Sequence, residues 1–126
     1  MESRPSNVAP SHKHVVGFER GGILIAVADL LEGYPAEEEW YVGLLLLSPS
    51  ERRRGLGAKL WNAIEAWIRA EGGRVVRLIV QEQNPDAALF WGSVGFIADG
   101  KVEQRLRARP NSCWRFEKRL SGPVHQ

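Results

Sequence analysis

Cysteine occurs once in this chain, at position 113, so neither an intrachain disulfide nor a cysteine-built zinc site can form within it. Cys113 lies in the alternating stretch Ser112-Cys113-Trp114-Arg115-Phe116, which reads as a strand carrying a buried, inert thiol. Long apolar runs are missing too. The longest, Leu44 to Leu47, is far too short to cross a bilayer, and Met1-Glu2-Ser3-Arg4-Pro5 lacks the apolar stretch of a secretory signal. The expectation is a cytoplasmic protein without a membrane partner. Nor does charge of one sign dominate. The formal net charge of +2 is too small for a face that grips nucleic acid, so none is expected as a partner. What remains is an ordinary globular composition, 44% hydrophobic and 25% charged, which excludes a disordered chain. With 126 residues there is material for one domain, and five tryptophans promise a well-buried interior.

Residues 1–13 are polar and aperiodic and read as a flexible tail, leaving 14–126 as the domain. Residues 14–19 and 23–31 are β-branched runs separated by Arg20-Gly21-Gly22, a hairpin signal; Glu32-Gly33-Tyr34-Pro35 ends the second. Residues 40–47 form a strand that is apolar on both faces, the pattern of a central strand with helices on either side. Over 56–70 the period becomes helical: Leu56, Leu60, Ile64 and Ile68 make a stripe flanked by Trp61 and Trp67, with Lys59, Asn62, Glu65 and Arg69 outside it. Gly72-Gly73 stops the helix, and 75–80 is again a strand. Asn84-Pro85-Asp86 opens a second helix that runs to about Val94. Residues 96–106 and 112–120 close the chain as two strands around an Arg109-Pro110-Asn111 turn. The order β-β-β-α-β-α-β-β predicts an α+β protein with a mixed sheet covered by helices.

The chemistry-bearing stretch is Pro49-Ser50-Glu51-Arg52-Arg53-Arg54-Gly55-Leu56-Gly57-Ala58, between a buried strand and an amphipathic helix. The first amides of a helix lack internal acceptors, and the macrodipole places positive charge there. Gly55 and Gly57 let an anion approach the backbone, and three arginines stand at the mouth. Taken alone, Gly-x-Gly after a strand is equally a tight turn, and an arginine run is equally a solvated face. A nucleoside-triphosphate loop is excluded because no Gly-Lys-Ser/Thr ending occurs, and a dinucleotide fingerprint because position 60 is Leu.

Arg52-x-x-Gly55-x-Gly57, preceded by Pro49 and an apolar strand, resembles the coenzyme A pyrophosphate motif of the GNAT superfamily of N-acetyltransferases. Asn84-x-x-Ala87-x-x-Phe90-Trp91-x-x-x-Gly95-Phe96 is similar to the Asn-to-Gly-Phe helix that follows the next strand in that superfamily. The resemblance implies the acyl-CoA N-acyltransferase fold: a mixed, mostly antiparallel central sheet with splayed middle strands and flanking helices. It implies acetyl-CoA as co-substrate, no metal, and a primary amine of a small molecule or a protein as acceptor. The coenzyme arm would lie against the backbone of Leu45 and Leu47, with an amide near Leu46 polarising the thioester. The pyrophosphate would rest on Arg52, Arg53, Arg54, Gly55, Leu56, Gly57 and Ala58. Asn84, otherwise a helix cap, would reach the arm, and Trp91 would lie near the thiol.

Many members carry a tyrosine acid where this chain has Trp91, whose N–H cannot act as that acid. A glutamate base is expected at Glu39, through water or directly, with Tyr41 the nearest hydroxyl; Glu37-Glu38-Glu39 reads equally as a charged loop. The polar stretch before His14 is shorter than the front of most members. An acceptor side that is open, or completed by a second copy in a homodimer paired through the 14–19 edge, is therefore expected. The alternative to an active enzyme is a non-catalytic acyl-CoA binding module.

Overall fold

The computed structural model describes residues 12–52, 54–106 and 109–120. Arg53 and most of the predicted tail fall outside them, and Lys13, the last residue of that tail, already opens the first strand. The elements are β1 (Lys13–Arg20), β2 (Ile23–Glu32), β3 (Glu39–Leu47), a 3₁₀ turn at Pro49–Glu51, α1 (Leu56–Ala70), β4 (Val75–Gln81), α2 (Pro85–Ser93), β5 (Ile97–Leu106) and β6 (Arg109–Arg119). The six strands form one sheet in the order β1-β2-β3-β4-β6-β5, antiparallel throughout except for the parallel β3–β4 pair. The predicted fold class and element order hold.

The first hairpin turns through Gly21 (φ 60°) and Gly22 (φ 81°), both in the left-handed region that a two-residue turn of this hand requires. At the far end the structure corrects the reading of Arg109-Pro110-Asn111. These residues are strand, with Pro110 opposite Arg105 and Asn111 opposite Gln104. Proline is tolerated there near the start of a strand, where its missing N–H costs least.

Both helices lie on the same face of the sheet. Trp61, Ile64 and Ile68 of α1 and Trp91 of α2 join alternate strand residues, among them Leu30, Trp40, Val76, Leu78 and Phe116, in one core. Trp40 and Trp61 are fully buried, which removes roughly 4–6 kcal/mol worth of apolar surface from water for each. Among the described residues no helix lies on the other face, so the expectation of helices on both faces is corrected. Leu44 and Leu46, on the helix-free side, are 44% and 50% exposed.

The stripe on α1 is corrected as well, because Glu65 is buried with it. Its carboxylate accepts hydrogen bonds from Trp61 Nε1 (3.0 Å), Arg69 Nη2 (3.1 Å) and Lys118 Nζ (2.6 Å). Lys118 also donates to the Val94 carbonyl at the end of α2 (2.7 Å), so one ion pair ties both helices to β6. Burying the charge is tolerable because every strong partner it needs is supplied by the fold.

Candidate functional site

The central feature is a split in the sheet. β3 and β4 pair only at Glu39–Val75, Trp40–Val76 and Tyr41–Arg77, although both strands continue beyond that point. This is the splay the resemblance implied. Just past it, β3 carries a bulge: Leu30 opposes Val42 and Asp29 opposes Leu44, leaving Gly43 as the extra residue.

Strand register shows which backbone groups face the gap. The Ser48 N–H donates to the Ile25 carbonyl at 2.8 Å, so Ser48 turns its polar groups toward β2. Alternation along an antiparallel ladder then turns those of Leu46 and Leu44 the same way and those of Leu45 and Leu47 into the gap. The donor expected at Leu46 is thus corrected. Its amide serves the β2 ladder opposite Val27, and the gap-facing amide nearest the bulge is that of Leu45. The Leu47 carbonyl is already held by Arg52 Nε at 3.1 Å.

At the loop end of the gap, Gly55 adopts φ 78° as the N-cap of α1 and makes no side-chain cap. The first intrahelical bond runs from the Lys59 N–H to Gly55 O, so the amides of Leu56, Gly57 and Ala58 have no intrahelical acceptor. Gly55 is needed for its backbone conformation, since nothing lies within 4 Å of an added Cβ. Gly57 is needed for packing: a Cβ there would lie 3.0 Å from the Phe90 ring of α2. Arg52 and Arg54 are exposed. The one acid in the turn, Glu51, is neutralised by two 2.8 Å bonds from Arg20 Nη1, which leaves the loop electropositive.

Glu39 and Tyr41 lie at the other end, where pairing stops, and both line a cavity of about 350 Å³ together with Tyr34, Arg77, Ile79 and Arg115. Glu39 Oε1 accepts from Arg77 Nε (3.0 Å), and Arg77 Nη1 donates to Glu117 Oε1 (2.9 Å). The hydrogen bond that Arg77 donates to Glu39 raises the guanidinium above its ordinary pKa, with the charges of Glu39, Glu117 and Asp99 adding to the effect. Burial raises the Tyr41 phenol above its ordinary value, with Tyr34 adding to the effect. The two tyrosine rings meet edge to face at 5.8 Å.

The other expected residues are elsewhere. Asn84 caps α2, its Oδ1 accepting from the Ala87 N–H at 3.2 Å, which leaves its amide nitrogen outside the cap. Trp91 is a core side chain, edge to face with Trp61 (5.3 Å), Phe96 (5.2 Å) and Phe90 (4.9 Å). Arg77 and Arg115 were not picked out from the sequence. For Arg77 the available signal was a lone charge inside the apolar run Val75–Val80, where a partner on a neighbouring strand is required; Arg115, one of several charges on β6, carried no such signal. Among the described residues no group of three or more His, Cys, Asp and Glu side chains is placed to hold a metal ion, and no helix is long and apolar enough to cross a membrane.

Solved structures share the fold. The chain is similar to a protein described as an acetyltransferase of the GNAT family from Desulfovibrio desulfuricans (TM-score 0.78, 15% identity, covering 88% of this chain and 70% of that one). It is similar to a spermidine N-acetyltransferase chimera containing Vibrio cholerae sequence (0.76, 18%, 87% and 71%). It is also similar to a ribosomal-protein alanine N-acetyltransferase from Escherichia coli (0.76, 16%, 92% and 74%). At such identities the likeness carries the fold alone. Residues 2–96 match the acetyltransferase (GNAT) family, a span that takes in the split, the bulge, the glycine loop and α2. With that match, the chain belongs to the GNAT family of acetyltransferases.

Proposed function

We propose that the protein is an N-acetyltransferase that moves an acetyl group from acetyl-CoA to a primary amine. The observation that carries this reading is the gap beyond Tyr41–Arg77, where the gap-facing backbone of Leu45 and the Leu47 amide lead to the amides without intrahelical acceptors at the start of α1. A pantetheine arm is a chain of amides, and it fits such an edge as an added strand. A diphosphate fits amides at the positive end of a helix, with Arg52 and Arg54 beside it. Acetyl-CoA, when bound, supplies an activated thioester whose carbon accepts the amine nitrogen and whose sulfur leaves with the electron pair.

The chain's own groups have definable tasks. The Leu45 amide is the gap-facing donor available to a carbonyl oxygen that gains negative charge. Glu39 Oε2, the oxygen not used by Arg77 Nε, is available to take the ammonium proton, directly or through water. Tyr41, kept neutral by burial, is available as a donor at the same place. No acid for the departing sulfur is required, because a thiol of pKa about 8.5 leaves without one. Trp91, packed as core, favours a second reading: a module that binds the coenzyme without turning it over.

Calorimetry with acetyl-CoA and thiol-release assays over a panel of amines test both readings. Binding with turnover is expected; binding without turnover would establish the module, and no binding would end both. Leu45→Pro sharpens the test. It deletes an amide that faces the gap and not the β2 ladder, and should weaken acetyl-CoA binding by about tenfold with the fold retained.

A further inference from the structure

The cavity where β3 and β4 part has a polarity that bears on the acceptor. Two guanidinium groups line it. Arg77 uses Nε for Glu39 and Nη1 for Glu117, and its Nη2 donates to no described residue. Arg115 gives Nη2 to the Asp99 carbonyl at 3.2 Å and has Nε 3.5 Å from Asp99 Oδ1, while its Nη1 donates to no described residue. Its side chain is 51% exposed, so the free edge of the fork is reachable. The one carboxylate lining the cavity is Glu39, at the end where the strands separate. The cavity is therefore bipolar, with an acid and a neutral tyrosine at the apex and unspent arginine donors beyond it.

Register fixes the separation. Arg77 stands between Tyr41 and Glu117 in one cross-strand row, and Arg115 stands opposite Ile79, two residues further along. Two residues of strand are about 7 Å, and β3 and β6, with β4 between them, lie about 10 Å apart. The side chains of Glu39, Tyr41, Arg77 and Arg115 reach from those positions into one cavity of about 350 Å³, room for a small molecule bearing an amine at one end and an anion several bonds away. A polycation gains little here, because Asp99 and Glu117, the acids beyond Glu39, are already paired with Arg77 and Arg115 and line no part of the cavity.

We infer that the acceptor is a small amino-carboxylate, its ammonium group seated at Glu39 and Tyr41 and its carboxylate read by Arg115 with the free edge of Arg77. This rests on the acetyltransferase reading and narrows it. Arg115 is then a specificity-determining residue, since a planar fork suits a carboxylate in two parallel hydrogen bonds.

The test pairs amines that differ only in the anionic group. Thiol release is followed with β-alanine and γ-aminobutyrate against propylamine and butylamine, each pair exchanging a carboxylate for a methyl group, and with spermidine as the polycation. The carboxylate-bearing amines should show kcat/KM about 10- to 100-fold higher than their partners, mainly through KM. Arg115→Met should collapse that ratio toward one, and Arg115→Lys should restore part of it. Equal or better use of butylamine or spermidine, or a ratio untouched by Arg115→Met, overturns the inference while leaving the acetyltransferase reading intact. If no amine is turned over, the acetyltransferase reading fails. Calorimetry on the coenzyme A-loaded protein then still decides the cavity's preference. Tighter binding of γ-aminobutyrate than of butylamine, lost in Arg115→Met, supports it, and equal binding of the two overturns it.

Discussion

The two faces of the sheet are built from the same strands and treat charge in opposite ways. On β4, Val76, Leu78 and Val80 enter a dry aromatic core, while Arg77 and Ile79, alternating with them, line an open cavity. The helix-covered face buries one carboxylate, Glu65, and surrounds it with three donors. The bare face carries Glu39, Arg77, Asp99, Arg115 and Glu117 as a partly solvated network. Where water is excluded, every valence of a charge must be met within the protein, so nothing is left for a ligand. Where water reaches, side chains keep donors in reserve.

That contrast can be broken experimentally. Glu65→Ala should cost about 3–5 kcal/mol in denaturant unfolding, because it strands the Lys118 ammonium between the helices. A loss below about 1 kcal/mol would mean the two faces do not differ as described. Gly73→Ala should cost about 1–3 kcal/mol, since the new Cβ meets the Trp40 ring at 2.8 Å and the Ile68 side chain. Gly55→Ala, with open space around it but φ 78°, should cost about 1 kcal/mol. On the bare face, Arg77→Met should change stability by no more than about 1 kcal/mol, its pairs being partly exposed.

The smallest effect is one of pH. Burial raises the Tyr41 phenol above its ordinary value of 10.0, so folding favours the protonated form. The stability this contributes is fully present below that value and drains away as pH rises through the folded-state pKa. Tyr41→Phe should flatten this part of the alkaline stability profile, and tyrosinate absorbance should show the late-titrating group missing. An unchanged profile and titration would mean that Tyr41 is not shielded from water.

Much of this was legible because it is local. The Gly21-Gly22 hairpin, the Gly55 start of α1, the Asn84 cap and the paired glycine patterns each depend on neighbouring residues, and the structure carries all of them. The misreadings share a cause. Burial of Glu65 depends on Lys118, 53 residues away, and the setting of Glu39 on Arg77, 38 away. A charged residue in a helical pattern reads as solvent-facing until a distant strand supplies its partner. Arg109 to Asn111 looked like a turn because proline and asparagine favour one, yet pairing with β5 holds them extended. The Leu46 amide could not be oriented before the Gly43 bulge had set the register.

By itself the sequence determined the order of strands and helices, the family and the electropositive glycine loop, since hydrophobic period, turn chemistry and short spacings operate within a few residues. Only the tertiary structure decided that both helices share one face, that the split begins after Tyr41, and that Arg77 and Arg115 meet Glu39 across a cavity. Those outcomes rest on which strands become neighbours and in what register, and a shift of a single residue would turn each of these side chains to the opposite face.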